Sequence, residues 1–456
     1  MKILEFIRKI LFWTVDFLKG GKIRKHYNDI QLINEDHSSS ESKLRREKHL
    51  QNILDHAITT VPFYKKQKRS ISLADFPVVD KAFVRESFEK FKSQDYLNKN
   101  NHKVTTSGST GNPFHIFHDK NKRDRNTADT IYFSKNAGYD IGSRLYYLRL
   151  WDKQYGKSNL LSWVQNVSMH SVDKLKEKDI SKLVYQLENG SSTKNILAYV
   201  SALHSICKYL DNKKAKPLNC KINSVIGIAE GMNDYVKNRI MKYFNVEMIS
   251  RYSNSENGII AQQNVGSNYF EINWASYIVE ILDLNRDIPV KRGESGRIVI
   301  TDLFNYSMPL IRYDTGDVGK LNFNLDHMDK PLVFTKIEGR KMDMFTNTNG
   351  EFISSHIIHH ILQYNEIDQF QFIEEENKEY IIKLKVSEDF DYDNEIGLIK
   401  QYKEYFGDDA KIRIEYVNDI PLLLSGKRKL VINNAINRLS NKDLTKTMNE
   451  SIQKAE

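Results

Sequence analysis

The chain has 456 residues, a length typical of two or three domains, and its composition of 40% hydrophobic and 28% charged residues is typical of a soluble globular protein. The formal charge of +9 suits anionic ligands or an anionic membrane, although solubility is the simpler explanation of the charge. The chain has no long Lys/Arg run, so nucleic acid is the least favoured partner. The two cysteines, Cys207 and Cys220, lack neighbours at metal-ligand spacing, which argues against a zinc site or a disulfide framework and favours the cytoplasm.

The first 25 residues, MKILEFIRKILFWTVDFLKGGKIRK, are predicted to form an amphipathic basic helix. Charged residues interrupt them too often for a bilayer-spanning segment or a signal peptide. Large apolar residues recur at helical spacing: Ile3, Ile7, Ile10, Trp13 and Phe17. Such a helix can pack on its own protein, the preferred interpretation, or lie as a peripheral contact on the inner face of a membrane. Residues 1–48 are therefore predicted to be this helix and a polar linker.

Short apolar runs alternate with longer helical patterns between residues 101 and 340. Representative segments are the strands SVIGIA (224–229) and RIVITDLF (297–304) and the helix NDYVKNRIMKYF (233–244). This alternation predicts an α/β fold in which helices cover β-sheets. Beyond residue 340 the elements become shorter, which predicts a small α+β domain. The predicted domains are a large one at 49–338 and a small one at 339–456.

The stretch VTTSGSTGNPFH, residues 104–115, is the first candidate for binding chemistry. Successive backbone N–H groups in a loop of Gly, Ser and Thr can point inward and hold an anion, and the hydroxyls add donors. The loop is not a Walker loop, because no GK[ST] follows it. Taken alone, a flexible linker explains the same composition equally well.

The segment IGIAEG, residues 226–231, ends a predicted strand with small residues, which can present bare backbone to a flat ring. Glu256 follows the next predicted strand, in MISRYSNSENG at 248–258. A carboxylate at the end of a strand can coordinate Mg²⁺ that bridges phosphates. For one isolated glutamate, helix capping or solvation is the simpler interpretation.

Three more charged residues follow in similar positions. Asp317 lies between two glycines after a predicted strand, where it can accept hydrogen bonds from a ribose or simply make an Asp-Gly turn. Arg340, in IEGRKMD, could neutralise a phosphate. Lys427 follows a Ser-Gly pair in PLLLSGKRKLVIN, where an exposed lysine usually serves solubility.

The order of these elements resembles the adenylate-forming enzyme superfamily, and within it the phenylacetate–CoA ligase family. The similar segments are LDHAITTVPFYKK (54–66), FPVVDKAFVRESFEKF (76–91), GIAEGM (227–232) and residues 280–317. The similarity covers roughly residues 50–435. The SGK-x-x-x-VIN ending, the short length and the basic N-terminal helix resemble the branch of that family associated with capsule and surface polysaccharides.

The resemblance implies an ATP site between a large domain and a mobile small one. The implied phosphate loop is Thr106, Ser107, Gly108, Ser109, Thr110 and Gly111. Further implied ATP-binding residues are Ala229, Glu230, Gly231, Tyr252, Asn254, Ser255, Asp317 and Arg340, with Tyr252 stacking near the adenine and Asp317 on the ribose. Glu256 would hold Mg²⁺. Lys427 would act at the carboxylate and the α-phosphate, where charge accumulates as pyrophosphate leaves.

The implied reaction joins a small-molecule carboxylate to AMP, releases pyrophosphate and passes the acyl group to CoA, an amine or a sugar. The alternatives are an adenylyltransferase that leaves AMP on its substrate and a scaffold with a degenerate nucleotide site. Two residues depart from the pattern: Ser253 replaces the usual Gly before the glutamate, and Met342 replaces the usual hinge Asp or Lys. The second departure leaves open whether the small domain rotates for acyl transfer. The sequence does not indicate the carboxylate, the acid pocket or the oligomeric state.

Overall fold

The structure is a computed structural model of the chain. It describes residues 3–65, 72–106, 114–151, 156, 158–172, 175–189, 192–323, 331–340, 345–349, 352–353, 357–358, 361, 364, 366–421 and 429–434. The chain divides into two compact units: unit 1 is Met1–Thr315 with Gly319–Ile337, and unit 2 is Gly316–Val318 with Glu338–Glu456.

Helices dominate the first part of unit 1. They are α1 (Ile3–Leu18), α2 (Lys22–Glu35), α3 (Ser40–Thr60), α4 (Lys81–Glu86), α5 (Phe88–Phe91), α6 (Lys120–Asn136), α7 (Asn159–Val164), α8 (Glu177–Asn189), α9 (Val200–Asn212) and α10 (Asp234–Phe244). Several begin where a short polar side chain accepts a backbone N–H of the first turn, as Asp80 does for α4 and Asn233 for α10. Among the described residues, the structure has no helix whose length and apolar character would let it cross a bilayer.

The strands up to residue 340 form a hairpin and a large sheet, and most of their residues belong to unit 1. They are β1 (His102–Thr106), β2 (Phe114–His118), β3 (Arg144–Arg149), β4 (Val167–Ser171), β5 (Lys194–Tyr199), β6 (Ile222–Ile228), β7 (Met248–Asn254), β8 (Gly258–Gln263), β9 (Phe270–Ile272), β10 (Tyr277–Leu282), β11 (Ser295–Asp302), β12 (Tyr313–Asn322) and β13 (Val333–Arg340). The described part of the large sheet has the order β10-β11-β12-β13-β9-β8-β7-β6-β5-β3-β4. Strands β1 and β2 pair antiparallel, with Thr106 opposite Phe114.

The strands β4, β3, β5, β6 and β7 are parallel neighbours. Parallel strands need crossover connections, and along the chain α8, α9 and α10 provide them. Apolar side chains of both layers share one core cluster, in which Leu203 and Ile240 come from helices and Ile196 and Ile226 from strands. The predicted α/β fold with helix-covered sheets is therefore confirmed.

Helix α6 packs in the interior although its sequence, KNKRDRNTADTIYFSKN, is polar. Lys122 and Arg125 have no exposed surface. The Lys122 ammonium lies 2.6 Å from Asp302 of β11, and the Arg125 guanidinium lies 2.7 Å from Asp29 of α2. Because each buried cation has an acidic partner, the helix can occupy the core despite its charge.

Unit 2 contains β14 (Phe345–Thr346), β15 (Phe352–Ile353), β16 (Ile367–Glu374), β17 (Glu379–Val386), α11 (Asn394–Phe406), β18 (Lys411–Tyr416) and β19 (Val431–Asn433). Its sheet has the order β18-β17-β16-β19. Strands β16 and β17 are antiparallel, while β18 and β19 each add a parallel strand. A separate core cluster joins this sheet to α11 through Phe372, Leu384 and Tyr402. Unit 2 is thus a small α+β domain.

Candidate active site

The carboxylate of Glu256 lies buried in the turn between β7 and β8, with 6% of the residue exposed. Its Oε1 atom lies 3.5 Å from the Nζ of Lys81. The hydroxyl of Tyr313 donates to the same oxygen at 3.4 Å. Three distant segments of unit 1 therefore meet at one buried carboxylate, and the nearby ammonium offsets its charge.

The segment that carries Lys81 is fastened to the strand that carries Tyr313. The backbone N–H of Val79 donates to the carbonyl of Arg312 at 3.1 Å, and that of Asp314 donates to the carbonyl of Val79 at 2.8 Å. The Arg312 guanidinium also donates to the Phe76 carbonyl at 2.9 Å. This pairing places the start of α4 next to β12, and it explains how Lys81 reaches Glu256.

The backbone around Glu256 is held by further hydrogen bonds. His118, at the end of β2, bonds through Nε2 to the Glu256 carbonyl at 2.7 Å. Burial, aided by the charge of Lys122, lowers the pKa of His118 to about 4, so the imidazole is neutral and donates this bond. The Asn254 side chain accepts the backbone N–H of Asn257 at 2.7 Å. The predicted ATP-binding residue Asn254 thus shapes the turn, and Ser255 beside it is exposed.

The side chain of Asn257 is fully buried, and neither its amide oxygen nor its amide nitrogen has a hydrogen-bond partner among the described residues. Buried amides are normally bonded, so unsatisfied ones mark places where a ligand or water is expected. This residue directly follows Glu256. The described residues contain no group of three or more His, Cys, Asp and Glu side chains that could hold a metal. Mg²⁺ is often held by only one or two carboxylates together with phosphates, and Glu256 fits that arrangement.

Tyr252 lies in β7 on the approach to Glu256. Its hydroxyl donates to the Thr315 hydroxyl at 3.4 Å, and Thr315 donates in turn to the Ile298 carbonyl at 2.9 Å. The ring meets Phe334 edge to face, with 6.1 Å between ring centres. The predicted stacking of Tyr252 on adenine stays a prediction.

The segment Ala229–Gly231 follows β6. Ala229 has a φ of 72°, the left-handed region that residues other than glycine rarely adopt. The carboxylate of Glu230 accepts the backbone N–H of Ser201 at 2.6 Å and its hydroxyl at 3.0 Å. Glu230 therefore caps the N-terminus of α9. Because the side chain of Glu230 makes this contact, we assign the predicted adenine contact to the backbone of Glu230.

The predicted phosphate loop leads from β1 to β2. Thr106 is the last residue of β1, and Ser107, Gly108, Ser109, Thr110 and Gly111 lie outside the described residues. Thr106 pairs with Phe114 at the end of the β1–β2 hairpin. The far end of the hairpin strand β2 carries His118, which contacts Glu256 as described above.

Asp317 lies within β12, half-buried, and not in the predicted loop after a strand. The interpretation as an Asp-Gly turn is therefore wrong. Although Gly316 has a φ of 79°, β12 continues past it between its neighbours β11 and β13 in the sheet. Arg340 is the last residue of β13. Lys427 and Met342 lie outside the described residues.

The strand that follows Lys427 is anchored within unit 2. Asn433, at the end of β19, donates to the carboxylate of Glu374 at 2.8 Å, and the backbone N–H of Thr346 donates to the same oxygen at 2.7 Å. Burial raises the pKa of Glu374 to about 7. The VIN run of the sequence is thus a structural strand of unit 2.

Sequence reasoning missed Lys81, Tyr313 and His118 as neighbours of Glu256. Lys81 and Tyr313 both lie in segments that resemble the family, but nothing in their spacing indicates that they converge. His118 lies at the end of the strand that follows the predicted phosphate loop, and this position could have identified it as a candidate site residue.

Comparisons with known proteins agree with this architecture. Residues 345–434 match the CapK C-terminal domain family. The chain is 22% identical to protein CapK from Staphylococcus aureus, and the match covers 92% of this chain and 94% of that protein. The predicted membership of the phenylacetate–CoA ligase family stays a prediction.

Solved structures of a CoA ligase and of an amide bond synthetase have a similar fold. A 2-hydroxyisobutyryl-CoA ligase in the postadenylation state, in complex with 2-HIB-AMP, has a TM-score of 0.68 and 19% identity, covering 90% of this chain and 93% of that one. The amide bond synthetase McbA from Marinactinospora thermotolerans has a TM-score of 0.51 and 14% identity, covering 72% and 67%. The chain therefore shares the predicted fold with these enzymes, and residues 345–434 match the CapK C-terminal domain.

Proposed function

We propose that the chain is a ligase that uses ATP and Mg²⁺ to activate a carboxylate as an acyl-adenylate, with release of pyrophosphate. The observation that carries the proposal is the buried Glu256 carboxylate, held by Lys81 and Tyr313 at the end of β7. A buried acid in this position is costly unless it has a use, since a well-packed apolar residue would stabilise the fold as well or better. The shared fold with a ligase solved with 2-HIB-AMP supports the same chemistry.

Glu256 is proposed to hold Mg²⁺ together with phosphate oxygens of ATP. The bound ion would supply positive charge at the pyrophosphate leaving group. Lys81 adds a second positive charge at the same place, and the hydroxyl of Tyr313 and the bond from His118 keep the carboxylate and its backbone in position. The unpartnered amide of Asn257 adds donors and an acceptor beside them.

The remaining roles rest on the family resemblance. Residues 106–111 are proposed to hold the phosphates, Ala229, Gly231 and Tyr252 to line the adenine, and Asp317 to accept from the ribose. Arg340 is proposed to contact the ribose–phosphate region. Lys427 is proposed to act on the attacking carboxylate and the α-phosphate oxygens, where negative charge increases in the transition state.

The acceptor of the acyl group is proposed to be CoA, an amine or a sugar. Two of these three acceptors, CoA and an amine, are supported by similar structures, since one is a CoA ligase solved with 2-HIB-AMP and CoA and another is an amide bond synthetase. The similarity to CapK leads us to place the reaction in capsule or surface polysaccharide synthesis. The carboxylate that is activated in such a pathway would be a uronic acid or the acid form of an acyl group.

Pyrophosphate release tests the proposal. The full chain is incubated with ATP and Mg²⁺ and a panel of aromatic, fatty, amino and uronic acids, with and without CoA, while AMP and acyl-AMP are followed by mass spectrometry. Acid-dependent pyrophosphate with acyl-AMP is expected, and free AMP that appears only with CoA identifies a thioester-forming enzyme. Pyrophosphate without free AMP and without acyl-AMP, with AMP found on a stable product other than a carboxylate, would show an adenylyltransferase instead. ATP binding without pyrophosphate across the panel would favour a scaffold.

A further inference from the structure

Helix α1 turns its charged side chains toward the protein. Glu5 and Asp16 are its buried residues, with 4% and 6% of their surface exposed. The Asp16 carboxylate accepts the backbone N–H groups of Ile23 and Arg24 at 3.1 and 2.9 Å and so caps α2. Lys9 forms an ion pair with Asp140. These polar contacts fix which face of α1 meets the protein.

The same face of α1 is packed tightly. The Glu5 carbonyl passes so close to Gly142 that a Cβ at that glycine would lie 2.3 Å from its oxygen. Gly142 also has a φ of 89°, so both the backbone conformation and the nearby Glu5 carbonyl disfavour a larger residue at this position. On the next turns Trp13 contacts Tyr27 edge to face at 5.9 Å, and Arg24 lies 3.6 Å above the Trp13 ring. The helix is therefore docked on unit 1 and is not a loose tail.

The opposite face of α1 is apolar and exposed, the reverse of an ordinary surface helix. It consists of Ile3, Leu4, Phe6, Ile7, Ile10, Leu11, Val15, Phe17 and Leu18, and α7 adds Leu160, Leu161, Trp163 and Val164. The Arg8 guanidinium lies 5.4 Å from the centre of the Trp163 ring, which joins the two helices. We call these exposed residues the α1–α7 surface. Apolar patches of this kind usually mark a binding surface.

Cations border the α1–α7 surface where α1 turns into α2. The exposed basic residues there are Lys19, Lys22, Arg24 and Lys25. Residues 17–28 contain no Asp or Glu, and the adjacent Asp16 carboxylate is buried and bonds to backbone N–H groups. A broad apolar face with Phe and Trp, bordered by exposed cations, is the pattern of helices that lie in the plane of an anionic membrane.

We propose that the α1–α7 surface docks on an anionic lipid bilayer, with α1 lying in the interface. The apolar side chains would enter the boundary between headgroups and acyl chains, and the cations would meet the lipid phosphates. Charge complementarity favours a bilayer over a second copy of this chain, because two copies would bring the same cations together. The inference goes beyond the proposed ligase activity and does not depend on it.

Vesicle flotation of the full chain tests the proposal. The vesicles are phosphatidylcholine alone or phosphatidylcholine mixed with phosphatidylglycerol, and wild-type protein is expected to float with the mixed vesicles. The double variant Ile7→Ser/Phe17→Ser should bind them about tenfold more weakly or worse, because it loses two apolar side chains from the inserted face. The matched control Tyr185→Ser/Ile396→Ser, at exposed positions elsewhere, should bind as wild type.

The charge contribution is tested by Lys22→Gln/Lys25→Gln, which should weaken binding to the mixed vesicles several-fold and reduce its sensitivity to salt. Thermal unfolding of each variant checks that the fold is kept. Wild-type protein that fails to float, or an Ile7→Ser/Phe17→Ser variant that floats equally well, overturns the proposal. A wild-type dimer in sedimentation that this variant converts to monomer, without vesicle binding, would show instead that the surface joins two copies of the chain.

Discussion

The ammonium of Lys81 lies 3.5 Å from the buried carboxylate of Glu256, although the two residues are far apart in the sequence. Lys81 begins α4, and Glu256 follows β7. The pairing of Val79 with the backbone beside Tyr313 brings them together. In the proposed function, this buried acid would exchange part of its contact with Lys81 and Tyr313 for a metal ion that also binds phosphates.

Replacing the acid removes its proposed metal contact while keeping its shape. Glu256→Gln should lower pyrophosphate release about 100-fold or more, because an amide is a much weaker ligand for Mg²⁺ than a carboxylate. The measurement is pyrophosphate release over a range of Mg²⁺ concentrations. Glu188→Gln, at an exposed position of α8, is the matched control and should behave as wild type. Undiminished release by Glu256→Gln would exclude the metal role.

Removing the cation should leave the buried acid with the Tyr313 hydroxyl but without its counter-ion. Lys81→Met should lower the free energy of unfolding by about 1–3 kcal/mol, since Lys81 is only partly buried. The double variant Lys81→Met/Glu256→Gln should lose less than the sum of the single variants, because the amide no longer needs a counter-ion. Urea unfolding of all four proteins measures this coupling. Strict additivity would mean that the two side chains do not interact.

The sequence predicted those parts of the fold that have a simple apolar pattern. The runs at 224–229 and 233–244 follow the alternation of parallel strands and covering helices. In the structure they correspond to β6 and α10. Helix α6 could not be found this way, because Lys122 and Arg125 take core positions that a hydropathy pattern assigns to solvent. Their partners Asp302 and Asp29 are distant in sequence, so only the tertiary structure explains the burial.

For the candidate site, the place of Glu256 after a strand could be predicted from the sequence, while its binding role stays a prediction. Glu256 was selected from its place after a strand, and the structure gives it two partners that sequence spacing did not indicate. Asp317 was assigned to a loop, because a glycine on each side suggests a turn, whereas the strand continues through it. The side chain of Glu230 is engaged with Ser201, a contact across unit 1 that no local pattern encodes.

The contact between Glu230 and Ser201 separates a structural role from a nucleotide-binding role. Glu230→Ala should lower the free energy of unfolding by about 1 kcal/mol, because α9 loses the carboxylate at its N-terminus. ATP affinity should change little, since the backbone of this segment is the proposed adenine contact. Urea unfolding and ATP titration are measured on the same variant. A large loss of ATP affinity with unchanged stability would reverse the assignment.

The proposed catalytic lysine has a neighbour suited to serve as its control. Lys427→Ala should reduce acyl-adenylate formation about 100-fold or more while ATP still binds, because its charge is needed mainly in the transition state. Lys429→Ala keeps the backbone carbonyl that accepts from Gln371 and should leave the rate near wild type. Single-turnover adenylation and ATP titration test both variants. Normal adenylation by Lys427→Ala would contradict the role.

His118 links the candidate site to acid stability. Its pKa is lowered from 6.5 to about 4 by burial, so the folded chain keeps it neutral while the unfolded chain protonates it first. The resulting stabilisation is complete above pH 6.5 and is lost as the pH falls from there to about 4. The loss is on the order of 3 kcal/mol across that interval, from the size of the shift.

His118→Gln should therefore flatten the dependence of unfolding free energy on pH between these limits, even if the variant is less stable at neutral pH, because glutamine does not titrate. His102, its exposed partner across the β1–β2 hairpin, provides the control. Burial lowers the pKa of His102 as well, but the residue is far more accessible, so His102→Gln should change the slope less. Urea unfolding at several pH values measures both slopes. An unchanged slope for His118→Gln would show that the buried imidazole is not the group that titrates.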